Sequence, residues 1–294
     1  MPALHKAIAT TLTYGRMIKF SHSVFALPFV LAALALASQE IPMEWEPMVF
    51  ILIAVVAART AAMGFNRIAD ASMDAQNPRT ALREIPAGKI SSRAALLLVL
   101  LSSLIFVASA MALSPLCGKL ALPVLFFLFG YSYTKRFTLF CHFYLGLAIA
   151  LAPAAAWVAL TGTLDPKILL LSAVLFTHIA GFDILYACQD ADFDQKAGLH
   201  SIPAKLGIPK ALFLARATHT ACGLFIFSLY PAFNLGPVFL GFALLLCGLL
   251  ILEHRMVKED DLSGIPMAFF HVNSVISLLL FLGIVLDLWT AKGF

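Results

Sequence analysis

Apolar positions in this chain neither alternate nor keep to one helical face. They continue unbroken for about 20 residues at a time, the length a helix needs to cross a hydrocarbon layer. A membrane β-barrel would instead show short alternating segments. The pattern predicts an all-α integral membrane bundle of about nine helices, near residues 20–38, 48–66, 94–114, 119–134, 139–160, 167–187, 210–230, 235–253 and 266–288. Helix breakers fall at the expected joints: Pro42 and Pro47, Ser114 with Pro115, Gly162 with Pro166, Pro209, Pro231 with Gly236, and Gly264 with Pro266. No small-residue cleavage site follows the first apolar segment, which therefore reads as a retained span.

Composition agrees. Of 294 residues, 61% are hydrophobic and 12% charged, with a mean hydropathy of +0.93. Soluble domains carry ~25% charged residues, so this chain cannot cover a water-facing surface. Its five cysteines form no C-x-x-C pair and read as small buried residues, and its eight histidines show no zinc-type spacing.

The polar positions give an orientation. With the N-terminus cytoplasmic, the outer segments hold only Lys119, Lys167 and Lys292, and Arg59 lies inside the second span. The remaining lysines and arginines fall on the inner side, Lys6 and His5 being in the leading segment. The net charge of +4 reflects this asymmetry, and no nucleic-acid partner is expected. The expected location is the cytoplasmic membrane, with two long inner loops at about 66–93 and 188–209.

Those loops concentrate the acids. Of only 16 acidic residues, six are Asp70, Asp74, Asp183, Asp190, Asp192 and Asp194. Asn66, Asp70 and Asp74 are spaced i, i+4, i+8, and Asp190 and Asp194 i, i+4, so each set shares a helix face. Carboxylates this close repel unless a cation lies between them. Mg²⁺ suits oxygen donors of this kind, taking one or two carboxylates together with substrate phosphates. Two facing clusters would thus hold metal ions around a diphosphate. An arginine inside a span, Arg59, is a functional candidate by its cost alone. Arg79, Arg83, Lys89, Lys135, Arg136, Lys196 and Lys205 crowd the same membrane face, where cations stabilise a departing diphosphate. The segments Glu84–Lys89 (EIPAGK) and Ser201–Lys205 (SIPAK) follow the two clusters. They suggest an internal pseudo-repeat, about 20–134 and 139–253, with a final helix, in a single domain of residues 1–294.

The pattern Asn66, Asp70, Asp74, followed by Asn77-Pro78-Arg79-Thr80 and by Asp190 and Asp194, resembles the UbiA superfamily of intramembrane aromatic prenyltransferases. The resemblance spans nearly the whole chain and includes the basic segment Tyr131–Arg136. Residues Asp183–Asp194 and Leu199–Gly207 are similar to the 4-hydroxybenzoate polyprenyltransferase branch. They are also similar to the enzymes that prenylate 1,4-dihydroxy-6-naphthoate on the futalosine route to menaquinone, with a slight lean to the latter. Many members have Asn-Asp where this chain has Asn66-Arg67, so Arg67 is given no metal role.

The resemblance implies Mg²⁺-dependent transfer of a polyprenyl group from its diphosphate to an aromatic acceptor, in ubiquinone or menaquinone biosynthesis. It makes Asp70, Asp74, Asp190 and Asp194 metal ligands, with Asn66 as a further ligand or orienter. Arg59, Arg79, Lys135 and Lys205 would hold the diphosphate. Asp183 would orient the acceptor hydroxyl or stabilise the allylic cation, Tyr186 would line the same pocket, and Arg136 would bind the acceptor carboxylate. His22, His200 and Asp287 are expected to be ordinary interfacial residues. A haem, chlorophyll or lipid-ether acceptor would use the same diphosphate machinery. A transporter fits less well, because the acids gather at one face and not at the midplane.

Overall fold

The computed structural model describes residues 2–291, with side chains for all of them except 2–9 and Val24. His5 and Lys6 therefore lie outside the described side chains, and Lys292 outside the described residues. Helix follows helix along the chain: α1 (Pro2–Met17), α2 (Leu27–Ala37), α3 (Trp45–Ala69), α4 (Ala71–Gln76), α5 (Ser92–Leu113), α6 (Pro115–Thr134) and α7 (Cys141–Thr161). Then come α8 (Pro166–Ala187), α9 (Ala191–Lys196), α10 (Ile202–Leu206), α11 (Ile208–Ala232), α12 (Pro237–Met256), α13 (Ile265–Met267) and α14 (Asn273–Ala291). Among the described residues, nine segments are long and apolar enough to span a membrane, and each overlaps a span expected from the sequence. The first is composite: a 3₁₀ turn at Phe20–Phe25 leads into α2. The last carries a π-helical turn at Ala268–Val272 between α13 and α14. Helix α1 was not expected.

Packing contacts divide the chain into two units, Met1–Ser23 with Val49–Tyr133, and Val24–Met48 with Thr134–Phe294. In the first, α3 approaches α5 closely at Gly64, where a Cβ would lie 2.8 Å from a Val99 methyl carbon. Phe65 stacks on Phe129 of α6 with ring centroids 4.5 Å apart. Small residues at a crossing allow such approach where lipid gives no hydrophobic drive to association.

In the second unit, α8 packs on α7 and α11, and α14 on α12 and α2. Gly146 lets α7 meet α8, since a Cβ there would sit 2.6 Å from the Phe176 carbonyl. Several polar groups buried in these spans find partners within the protein, as an apolar solvent favours, although both His178 ring nitrogens and the Trp157 indole nitrogen accept or donate no hydrogen bond among the described residues. His219 Nε2 donates to the His178 carbonyl at 3.2 Å. Asn273 donates to Glu253 at 2.8 Å and to the carbonyls of Ala268 and Phe269 at 3.0 and 3.2 Å, satisfying oxygens of the π-helical turn.

Asp287 does not behave as the interfacial residue expected from the sequence. It is 2% exposed and caps α12, accepting the Gly236 and Phe239 amides at 2.6 and 2.9 Å. Its replacement by alanine is expected to cost about 1–3 kcal/mol, the penalty of two buried donors left without an acceptor. The change should appear as a lower melting temperature in detergent.

Candidate active site

The first acidic cluster follows α3 through a single-residue joint. The Asp70 amide donates to the Asn66 carbonyl at 2.9 Å, and the Asp74 amide to the Asp70 carbonyl at 2.8 Å. Asp70 is the joint, at φ −97° and ψ 1°, between α3 and the short α4. Asn66 and Asp70, spaced i, i+4, are brought into direct side-chain contact. Asn66 Nδ2 donates to Asp70 Oδ2 at 2.8 Å and lies 3.5 Å from the Ser132 hydroxyl. The amide thus directs its oxygen away from Asp70.

Asp74 is buried, and Arg83 Nη1 lies 2.7 and 2.8 Å from its two carboxylate oxygens. The turn that brings Arg83 back is built by Asn77 to Thr80. The Arg79 amide donates to Asn77 Oδ1 at 3.0 Å, and the Thr80 hydroxyl donates to the Asp74 carbonyl at 3.1 Å. The sequence places Arg83 among the cations near a diphosphate, but its pairing with Asp74, nine residues away across a turn, is one that spacing alone does not reveal.

Cations crowd this unit. Lys19 is held below the ordinary lysine value, first by burial and next by the Arg67 guanidinium, with Arg83 and Arg79 adding to the effect and Glu84 opposing it. Mutual repulsion of this kind marks a place where an anion is welcome. Arg67 itself is buried with its Nε donating to the Met17 carbonyl at 2.9 Å, a strut between α3 and the end of α1. Arg59 reaches the Lys19 carbonyl at 3.4 Å from its place in α3.

The second cluster repeats the local geometry of the first. Asp190, at φ −106° and ψ 5°, ends a 3₁₀ turn (Cys188–Asp190) that joins α8 to a second six-residue helix, α9. The second carboxylate is again buried and again paired. Asp194 is fully buried, with Lys135 Nζ 2.7 Å from Oδ1 and the Ser201 hydroxyl donating to Oδ2 at 2.7 Å. The likeness of EIPAGK and SIPAK, however, does not extend to the backbone. The first forms turns, with the amides of Lys89 and Ile90 on the Glu84 carbonyl and Gly88 at φ +70°, whereas Ile202–Leu206 is a short helix capped by Ser201.

Asp183 lies one turn inside the end of α8, with its Oδ2 2.7 Å from His142 Nδ1. The Tyr186 ring lies over Phe269 at a centroid distance of 4.1 Å. Arg136 and Lys205 are exposed, and the Lys205 ammonium makes no ion pair among the described residues. Sequence reasoning missed His142 and Ser201. A histidine within an apolar run and a serine in a loop carry no spacing signal.

The donor set is oxygen-only and anionic, which fits Mg²⁺. Among the described residues, no three His, Cys, Asp or Glu side chains converge as a ready-made metal centre. Mg²⁺ needs only one or two carboxylates where substrate phosphates complete its coordination.

Comparison with known proteins supplies the family. Residues 26–275 match the model of the UbiA prenyltransferase family. The chain is 29% identical over 287 residues to a 4-hydroxybenzoate octaprenyltransferase of Nitrosomonas europaea, covering 93% of this chain and 94% of that protein. It is 25% identical over 257 residues to the protein of the same name from Vibrio campbellii, covering 87% and 89%. Among solved structures, the apo form of a UbiA homolog from Aeropyrum pernix superposes with a TM-score of 0.82 at 31% identity, covering 90% of this chain and 98% of that one. A UbiA homolog from Archaeoglobus fulgidus bound to DMAPP and Mg²⁺ shares the fold, with a TM-score of 0.71 at 17% identity over 93% and 99% of the two chains. This integral membrane protein belongs to the UbiA prenyltransferase family and is a prenyltransferase.

Proposed function

We propose that the protein transfers a polyprenyl group from its diphosphate to a ring carbon of a phenolic carboxylate, with Mg²⁺ as cofactor. The observation that carries this reading is the pair of Asp-x-x-x-Asp joints, each with its second carboxylate buried against a cation. The crowded cations around Lys19 support a polyanionic ligand. The names of the curated relatives support 4-hydroxybenzoate as acceptor. The sequence of Asp183–Asp194 and Leu199–Gly207 resembles the enzymes of both acceptors, with a slight lean to 1,4-dihydroxy-6-naphthoate. Both present a phenol and a carboxylate, so ubiquinone and menaquinone biosynthesis are the two candidate destinations.

Asp70 and Asp74, and likewise Asp190 and Asp194, would be Mg²⁺ ligands, and Asn66 would orient Asp70. When bound, Mg²⁺ neutralises the charge that grows on the leaving diphosphate. Arg59, Arg79, Lys135 and Lys205 hold that diphosphate, adding donors where charge develops. Asp183 accepts a hydrogen bond from the acceptor hydroxyl, which raises electron density at the neighbouring ring carbon. Tyr186 flanks the acceptor, and Arg136 binds its carboxylate. Buried apolar walls exclude water from the allylic cation. The excess of Lys and Arg in one set of loops supports a cytoplasmic N-terminus and active-site loops in the cytoplasmic membrane. The matching joints at Asp70 and Asp190 support the pseudo-repeat.

Membranes containing the protein, given a polyprenyl diphosphate and Mg²⁺, test the acceptor. Mass spectrometry is expected to find prenylated product with one of the two phenolic carboxylates at a rate at least about tenfold above the other, the discrimination a few contacts supply. Chelation by EDTA should abolish it. Product from neither, in folded protein, rules out the acceptor class.

A further inference from the structure

We propose that His142 is the positioning residue of Asp183: a neutral imidazole that fixes this carboxylate and ties it to the loop that carries Asp194. The proposal rests on the functional reading above, in which Asp183 faces the acceptor hydroxyl.

The two ring nitrogens of His142 decide its state. Nε2 lies 3.3 Å from the backbone nitrogen of Ile202. A peptide N–H can only donate, so Nε2 presents its lone pair. The ring proton is then on Nδ1 and is donated to Asp183 Oδ2, 2.7 Å away. In this arrangement the ring carries one proton and is neutral, and the Asp183 carboxylate is the acceptor. The ring is 3% exposed, so neither partner can be exchanged for water. Asp183 differs: its side chain is 18% exposed, and Oδ1 has no hydrogen bond among the described residues. One carboxylate oxygen is thus immobilised and the other remains open to accept a hydrogen bond.

The same ring reaches the loop of the second acidic cluster. Ile202 follows Ser201, whose hydroxyl donates to Asp194. The His200 amide donates to the Lys135 carbonyl at 2.8 Å, and Lys135 pairs with Asp194. Cys141, next to His142, points its thiol at the His200 carbonyl at 3.6 Å. Residues 200–202 are therefore held between Asp194 and the start of α7, and His142 passes that constraint to Asp183. A carboxylate loosened by about 1 Å can cost about 10²-fold in rate.

The test compares His142→Leu, His142→Asn, Asp183→Asn and the His142→Leu/Asp183→Asn double variant in the full chain. His142→Leu is expected to lower kcat about 10- to 100-fold while the KM for polyprenyl diphosphate stays within about twofold. His142→Asn, whose amide replaces the Nδ1 donor, should recover most of that loss. The double variant should be no slower than Asp183→Asn alone, because His142 acts through that carboxylate. The idea is overturned by His142→Leu at wild-type kcat, by a loss confined to diphosphate KM, or by losses that multiply in the double variant. If the variants fail to fold, ¹⁵N spectra of histidine-labelled wild type decide: a neutral ring protonated at Nδ1 supports the proposal, and an imidazolium or an Nε2–H ring overturns it. Wild-type protein that forms no prenylated aromatic product removes the functional reading and this role with it. Product undiminished in His142→Leu removes the role alone.

Discussion

Replacing Asp70 by asparagine is expected to slow prenyl transfer by about 10²- to 10³-fold at saturating substrates, the scale of losing one electrostatic contribution to a charge-separated transition state. The substitution is nearly isosteric. The backbone bonds from Asn66 through Asp70 to Asp74 do not depend on the side-chain charge, and the Asn66 amide at 2.8 Å can still find an amide oxygen, so the helix should persist. What is removed is one anionic oxygen of the proposed metal site. The Mg²⁺ concentration giving half-maximal rate should rise in the variant, whereas melting temperature should hardly move. A rate within tenfold of wild type would remove Asp70 from the metal set.

The second large effect concerns the buried pair Asp194 and Lys135. Lys135→Met leaves the Asp194 carboxylate fully buried with only Ser201 beside it. Breaking a sealed ion pair costs ~3–5 kcal/mol. The Lys135 side chain is 36% exposed, and solvent screening brings the expected cost down to about 2 kcal/mol. Adding Asp194→Asn should return most of that stability, because no uncompensated charge is then buried. Prenyl transfer should stay lost in the double variant if Asp194 is the metal ligand proposed above. Thermal unfolding and initial rates measured on the same samples separate the two effects. A double variant that regains activity with stability would make Asp194 a purely structural residue.

What the sequence revealed follows from how each feature is encoded. The spans were legible because a membrane crossing demands an unbroken apolar run, and the two acidic clusters because acids are so scarce elsewhere. Asp70 and Asp190 stood out for that reason, although nothing in their spacing showed that each is a joint between a span and a six-residue helix. Pairings set by tertiary structure were hidden. Arg83 returns to Asp74 only through the Asn77–Thr80 turn, and His142 meets Asp183 across two helices. Asp287 shows the same limit: near a helix end, an interfacial carboxylate and a buried cap for another helix have the same local sequence. The EIPAGK and SIPAK likeness misled about backbone, because Gly88 takes a left-handed conformation in one segment while Ser201 starts a helix in the other.

The most direct test of the account is the position of the new bond. Purified protein would be given a polyprenyl diphosphate, Mg²⁺ and the phenolic carboxylate it prefers, with product analysed by tandem mass spectrometry and NMR and diphosphate counted. The account predicts one diphosphate released per product and a prenyl group on the ring carbon ortho to the hydroxyl. Diphosphate released with only free prenyl alcohol, or a prenyl ether at the hydroxyl oxygen, would contradict it.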